Sequence, residues 1–264
     1  MHLPIPDQPA DPAAQRAADH RRLLRALNAS LAFVLGLLAV FTAQPTFDVG
    51  AWTVQPGTPA GLLGIATAPL LHGSFAHLAA NAGALLLLGT LAGTVYPRAT
   101  LRALPLLWLG AGLGAWLLGA PGTRHLGASG LTHGLMFLVF TLGLLRRDRP
   151  AVAAAMIAFF LYGGMLLTVL PQEPGVSWQS HLGGAVAGVL AALWLRRRDP
   201  APPRKRYSWE LEEEQAQQAA AHARDELEPP APRAVPVLWH RPPREDTRGT
   251  VLRFPAPRGD RDRS

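Results

Sequence analysis

The chain has 264 residues, of which 49% are hydrophobic and only 16% charged, with 26 glycines and no cysteine. So apolar a composition excludes an ordinary soluble domain, and the absence of thiols excludes disulfides and thiolate metal sites. The formal net charge of +7 would suit nucleic acid, but the arginines stand in clusters between apolar runs and form no basic helix face with interleaved aromatics, so no nucleic-acid partner is expected.

Residues 1–22 are polar and rich in proline and alanine, a composition that predicts a disordered N-terminal segment. The first apolar run covers residues 23–43. Arg21, Arg22 and Arg25 ahead of it and Ala43 at its end also fit a cleaved signal peptide, but the long polar leader and the apolar runs that follow favour a retained span. Five more apolar runs lie near residues 75–95, 101–120, 127–145, 151–170 and 178–195, most of them long enough to cross a hydrocarbon core of ~30 Å as helices.

The connections alternate in charge. Arg98 and Arg102 separate the second and third runs, Arg146, Arg147 and Arg149 the fourth and fifth, and Arg196, Arg197 and Arg198 end the sixth. Loops 44–71 and 171–178 hold no lysine or arginine, and loop 121–126 holds only Arg124. The positive-inside rule then places both termini in the cytoplasm and predicts an all-α, polytopic bundle of six transmembrane helices over residues 23–195, in a bacterial inner membrane. Glycines four apart at Gly89/Gly93, Gly110/Gly114, Gly130/Gly134 and Gly184/Gly188 leave helix faces without side chains, so the helices are expected to pack closely. Loop 44–71, with Trp52, is expected to lie partly in the outer interface. Beyond Asp199 the chain turns polar; residues 207–228 suit a polar helix, and 199–264 reads as a largely disordered cytoplasmic tail.

The chemistry gathers at one depth. Counting back from the arginine that ends each span, Asn81 stands 17 residues from Arg98, Ser129 stands 17 from Arg146, and His181 stands 15 from Arg196. At 1.5 Å per helical residue those are heights of ~25, ~25 and ~22 Å. Small residues around a serine often serve only helix packing, but polar side chains on three spans at one level point to a site. Ser129 has the character of a nucleophile and His181 of its base; Asn81, His77 and the backbone N–H of Ser129 are candidate oxyanion donors, helped by a helix beginning at Ser129. No carboxylate stands at that depth: Asp148 is on the opposite side, and Asp48 and Glu173 are in outer loops. Glu173 as a histidine-orienting acid is the weaker alternative to a plain Ser–His dyad.

Gly127-x-Ser129-Gly130 opening the fourth span, His72-x-x-x-x-His77-x-x-x-Asn81 opening the second, and His181-x-x-Gly184-x-x-x-Gly188 in the sixth together resemble the rhomboid intramembrane serine proteases. The resemblance covers roughly residues 23–195. It implies a Ser129–His181 dyad, an oxyanion site lined by His77 and Asn81, and close packing of the sixth helix on the fourth through Gly184 and Gly188. It also implies membrane-anchored protein substrates cut in or near their transmembrane segment, with no cofactor and no metal. Leu63 and Gly64 stand where the family often has Trp-Arg. His133 stands where many members have a tyrosine stacked on the histidine; Ser-Gly-Leu-Thr-His-Gly is similar to the rhombosortase branch, which processes proteins with short C-terminal membrane anchors. His133 is expected either to stack on His181 or to make a polar helix contact. His72 is expected to hydrogen-bond loop backbone, and His125 to be an exposed loop residue.

Two readings from other classes stand beside the protease. Five histidines on the outer side (His72, His77, His125, His133 and His181) would suit a metal-binding or metal-transporting bundle, although no His-Glu-x-x-His motif accompanies them. A catalytically dead rhomboid-like binding protein is the other. The sequence does not specify the substrate or the oligomeric state.

Overall fold

The computed structural model describes residues 12–171, 175–199 and 208–227. Eight α-helices appear among them: α1 (Pro12–Ala43), α2 (Gly61–Thr67), α3 (Phe75–Val95), α4 (Pro97–Leu118), α5 (Ser129–Arg146), α6 (Arg149–Tyr162), α7 (Trp178–Leu195) and α8 (Ser208–Leu227). The chain divides into a unit of residues 1–205 and a second of residues 206–264. In the second, the described residues form α8, the polar helix expected over 207–228; the remainder of the tail lies outside the described residues.

Among the described residues, five helical segments are long and apolar enough to cross a membrane, on α1, α3, α4, α5 and α6. The sixth expected span is α7. It has 18 residues, and its first turn carries Gln179, Ser180 and His181, polar groups that dilute an otherwise apolar helix. The outward faces are hydrophobic; Leu101, Phe160 and Trp194 are largely exposed, as suits contact with lipid. The protein is therefore a multi-pass membrane protein.

Two boundaries differ from expectation. Helix α1 begins at Pro12, inside the segment expected to be disordered. A proline at the first helical position and the alanines that follow it (Ala13, Ala14, Ala17 and Ala18) favour helix even without an apolar face. Helix α6 ends at Tyr162, well short of residue 170, and the chain goes on as a 3-10 turn, Gly163–Leu166. The Gly163-Gly164 pair lowers the cost of leaving the α-helix there.

Close packing places α7 between α4 and α5. A Cβ on Gly184 would run into the carbonyl of Gly130, and one on Gly188 into the carbonyl of Gly134. Gly110 and Gly114 of α4 approach the backbone of Gly183 in the same way. Gly89 and Gly93 of α3 receive α1 at Ser30 and Ala26. All four glycine pairs thus lie at helix contacts: the α5–α7 pairs meet backbone, and the α3 pair meets the small side chains of Ser30 and Ala26. Beneath them a core of Leu88, Leu107, Leu135, Met136, Leu138 and Leu142 fills the bundle.

Loop 44–71 folds back over the C-terminal half of α4. Trp108 Nε1 donates to the carbonyl of Ile65 at 3.1 Å and Trp116 Nε1 to that of Thr58 at 2.9 Å. Gly64, at one of the two places where a Trp-Arg pair was sought, has room only for a hydrogen because the backbone of Thr53 and Val54 crosses directly above it.

At the opposite end of α4, Asp199 is buried, and its carboxylate accepts the N–H groups of Arg98 at 3.0 Å and Ala99 at 2.9 Å. A carboxylate there satisfies donors that the first helical turn leaves unpaired and complements the positive end of the helix dipole.

Candidate active site

Ser129 is the first residue of α5, so its own N–H has no acceptor within the helix. The turn before it depends on Gly127, which has φ +113° and holds the ring of His77 against its Cα. Any side chain at 127 would be strained in backbone and would collide with that imidazole. The Gly127 N–H donates to the carbonyl of Ala68 at 2.8 Å, which ties the serine turn to the outer loop. Gly130 is needed for a different reason: a Cβ there would strike Ser180 on α7 and Ala111 on α4. One glycine of Gly-x-Ser-Gly shapes the turn and the other admits the neighbouring helix.

His181 lies one turn into α7. Its Nε2 is 2.8 Å from Ser129 Oγ, and its Nδ1 is 3.0 Å from the carbonyl oxygen of Thr168. A carbonyl can only accept, so Nδ1 carries the proton and Nε2 presents its lone pair to the serine hydroxyl. The second ring nitrogen is thus held by a backbone oxygen and not by a carboxylate. Glu173, the alternative considered from sequence, lies outside the described residues. Asp148 pairs with Arg146 at 2.8 Å, caps α6, and is remote from the serine. Asp48 caps the Val49–Trp52 turn of the outer loop.

His133 stacks on His181, with ring centroids 3.9 Å apart and planes 12° from parallel. It also makes polar contacts, so the two alternatives posed for it occur together. Its Nδ1 is 2.6 Å from the carbonyl of Ser129, and its Nε2 is 2.8 Å from Thr168 Oγ1. By the same donor logic Nδ1–H donates to Ser129, and Nε2 of the neutral ring accepts from the Thr168 hydroxyl. That hydroxyl also stands 3.1 Å from the carbonyl of Met165 and shares its one proton between the two acceptors. Thr168 therefore holds both imidazoles, one through its backbone and one through its side chain.

On the other wall of the cleft, Ser74 caps α3 by accepting the N–H of His77 at 3.1 Å. Asn81, one turn further along, is buried and donates one Nδ2 hydrogen to the carbonyl of His77 at 3.0 Å, which leaves the second hydrogen for another acceptor. His77, Asn81, Ser129, His133 and His181 all line one open cleft of 1210 Å³. The supporting Gly184 and Gly188 sit behind it, where α7 meets α5.

Two outer histidines differ from expectation. His125 is buried: Nδ1 bonds Ser177 Oγ at 2.7 Å and Nε2 bonds Thr123 Oγ1 at 2.9 Å. Its backbone pairs in both directions with Val54, so the loop is pinned between the 44–71 segment and the start of α7. The ring of His72 makes no hydrogen bond of full geometry to loop backbone; the Leu70 carbonyl is near enough only to raise its pKa weakly. The ring is fully buried and packs edge-on against His77 with 5.1 Å between centroids, and neither nitrogen has a hydrogen-bond partner among the described residues. Its backbone is held instead, by Gln44 in two hydrogen bonds of 2.8 and 2.9 Å.

Burial, then the neighbouring His77, lower the pKa of His72 to about 4, against a weaker upward pull from the Leu70 carbonyl. The unfolded chain therefore binds more protons between its ordinary 6.5 and about 4. The contribution of His72 to stability is full above that window and is lost as pH falls through it. Thermal unfolding followed from pH 7.5 to 4 is expected to show a falling midpoint, and His72→Phe to flatten that fall. An unchanged slope in His72→Phe would assign the acid sensitivity to other groups.

A Rhomboid domain profile matches residues 59–198, which include every residue of the cleft just described. The chain belongs to the rhomboid family. Rhomboids are a family of intramembrane proteases, and helix α1 lies outside the matched segment. Uncharacterized proteins of Mycobacterium tuberculosis (strain ATCC 25618 / H37Rv) and Mycobacterium bovis (strain ATCC BAA-935 / AF2122/97) are each 41% identical over 160 residues, covering 58% of this chain and 65% of the relative. A similar uncharacterized protein of Mycobacterium leprae (strain TN) is 39% identical over 152 residues, covering 54% of this chain and 59% of its own. The chain thus spans less than two thirds of the length of these relatives.

Among the rhomboid site residues, Thr168 escaped the sequence reading. Its signal was faint: a threonine just past Gly163-Gly164, where the span breaks.

Proposed function

We propose that this rhomboid is an active intramembrane serine protease that cleaves membrane-anchored proteins in or near their transmembrane segment. The observation that carries the reading is the 2.8 Å contact of Ser129 Oγ with His181 Nε2, with the other ring nitrogen already committed to Thr168. In the reaction, Ser129 Oγ attacks the scissile carbonyl while His181 Nε2 takes its proton. The imidazolium so formed keeps its Nδ1–H on the Thr168 carbonyl, an oriented dipole that stabilises the new charge without becoming protonated. The oxyanion is met by the free Nδ2 hydrogen of Asn81, by His77 and by the backbone N–H of Ser129. The proton on His181 then passes to the leaving amine, and water repeats the sequence on the acyl-enzyme.

The arginine pattern supports a bacterial plasma membrane with both termini cytoplasmic, and so a cleft opening to the outer side. His133, with a stacked ring in the place of a tyrosine, favours the rhombosortase branch and substrates with short C-terminal anchors. No metal-bundle reading gains support from the geometry, since no three His, Asp or Glu side chains converge among the described residues.

The decisive test is covalent labelling of the purified protein by a serine-directed phosphonofluoridate. Labelling is expected in wild type and absent in Ser129→Ala and His181→Ala. A folded wild-type protein that takes up no label and cuts no membrane-anchored substrate would support the dead, binding-only reading.

Thr168 and His133 give a graded check. Thr168→Val keeps the backbone carbonyl and removes the hydroxyl, so turnover is expected to fall about fivefold, the worth of one hydrogen bond of ~1 kcal/mol. His133→Ala removes the stack as well and is expected to cost more than Thr168→Val, while His133→Tyr restores a ring and recovers activity. If His133→Ala has wild-type turnover, the stacked ring has no part in positioning His181.

A further inference from the structure

A second cavity, of 880 Å³, shares no lining residue with the active-site cleft. It lies between α1, α3 and α4, with its back wall on α5. We propose that it is a binding site for one anionic phospholipid of the leaflet at the arginine-rich end of the bundle.

The charge is gathered at one end. Arg22, Arg25 and Arg98 all line the cavity, and the acid that lines it with them, Asp199, has its carboxylate committed to the first N–H groups of α4. Arg22 meets Asp19 only in a loose, exposed pair at 3.6 Å, and no carboxylate among the described residues pairs with Arg25 or Arg98. Cations without a matching carboxylate suit a phosphodiester, which accepts from them.

The rest of the lining is apolar and has an end. Leu101, Leu104 and Pro105 form the α4 side, and Leu85, Leu131 and Leu135 form the back. Phe33 and Trp108 close the far end, packed edge-to-face with centroids 6.0 Å apart. Trp108 is fixed there by its hydrogen bond to the outer loop. The close approach of α1 to α3 at Gly89 and Gly93 forms the floor.

The dimensions select the ligand. From Arg98 to Trp108 is ten helical residues and from Arg22 to Phe33 eleven, or ~15 and ~16 Å at 1.5 Å each. Half of a hydrocarbon core of ~30 Å is the same length. The cavity therefore reaches from the headgroup level to about mid-bilayer, the reach of one acyl chain. A free phosphate would meet the arginines and leave the apolar wall uncovered, whereas an anionic lipid of that leaflet satisfies both.

The test uses the full-length protein in detergent, offered phosphatidylglycerol, phosphatidylcholine of the same acyl chains, or inorganic phosphate. Bound lipid is read by native mass spectrometry and the unfolding midpoint by thermal scan, neither of which depends on Ser129. Phosphatidylglycerol is expected to be retained and to raise the midpoint, and the other two to do neither. Arg25→Gln/Arg98→Gln is expected to weaken that retention about thirtyfold, since each of the two arginines near a lipid surface contributes ~1 kcal/mol. Arg21→Gln/Arg102→Gln removes as many charges at the same end but outside the cavity lining and should retain the lipid as wild type does. Leu101→Trp, which fills the cavity from an exposed position, should also lose it. Equal retention of the two lipids by wild type, equal loss in both arginine pairs, or a midpoint rise with phosphate alone would each overturn the proposal.

Discussion

Ser129→Ala and His181→Ala are each expected to lower turnover of a reconstituted transmembrane substrate by ~10⁴-fold or more while leaving the bundle folded. The 2.8 Å contact makes the two side chains one device: without the base the hydroxyl keeps its proton, and without the hydroxyl the base has nothing to activate. The double variant should therefore be little worse than either single one. Folding should survive because α5 and α7 are held by glycine contacts at Gly130/Gly184 and Gly134/Gly188, not by the dyad. The measurement is single-turnover cleavage in liposomes beside a thermal scan. Substantial cleavage by Ser129→Ala would remove this serine from the chemistry.

Asn81→Ala is expected to lower turnover by about 10²–10³-fold, the usual effect of losing one side-chain oxyanion donor, ~2.7–4 kcal/mol. The structure adds a reason for a loss that stops short of complete. Asn81 has one Nδ2 hydrogen tied to the His77 carbonyl and one left for the substrate, and His77 and the Ser129 N–H remain in the variant. Apparent KM should change little, because the interaction strengthens only as charge develops on the carbonyl oxygen. Asn81→Asp is a sharper version: it keeps the shape but puts an acceptor where a donor is needed, and should be at least as damaging. A rise in KM with unchanged turnover would make Asn81 a substrate-binding residue and leave the oxyanion to the other two donors.

The fold brings His77, Asn81, Ser129, His133 and His181 to one cleft, and the shared depth of three of them is already visible in residue number. Depth in a membrane helix is nearly linear in residue number, so counting from the flanking arginines puts Asn81, Ser129 and His181 at one level before any contact is known. The glycine pairs were legible for a similar reason. A spacing of four returns to the same helix face, and a face without side chains serves close approach.

The misreadings have a common cause as well. His125 reads as an exposed loop residue because nothing within its own loop predicts Ser177, 52 positions on, as the partner of its ring. Sequence suggests a loop-backbone partner for the His72 ring, whereas the fold buries that ring beside His77 and satisfies its backbone from Gln44, 28 positions earlier. Local sequence carries no term for such contacts. The early end of α6 is intermediate: Gly163-Gly164 was visible, but hydropathy runs on unbroken past it, and hydropathy alone does not distinguish a helix from an opened turn.

What the sequence by itself determined, then, is everything that one helix can encode: which segments are apolar enough to span, which faces are bare of side chains, and how deep each polar residue sits. The tertiary structure decided which groups meet. Its clearest decision is the partner of His181 Nδ1. A carboxylate would have announced itself by residue type, but every residue carries a carbonyl, so the choice of Thr168 has no signature in the chain. It follows only from the break after Tyr162, which frees that carbonyl from helical hydrogen bonding, and from glycine packing that brings α7 close enough to use it.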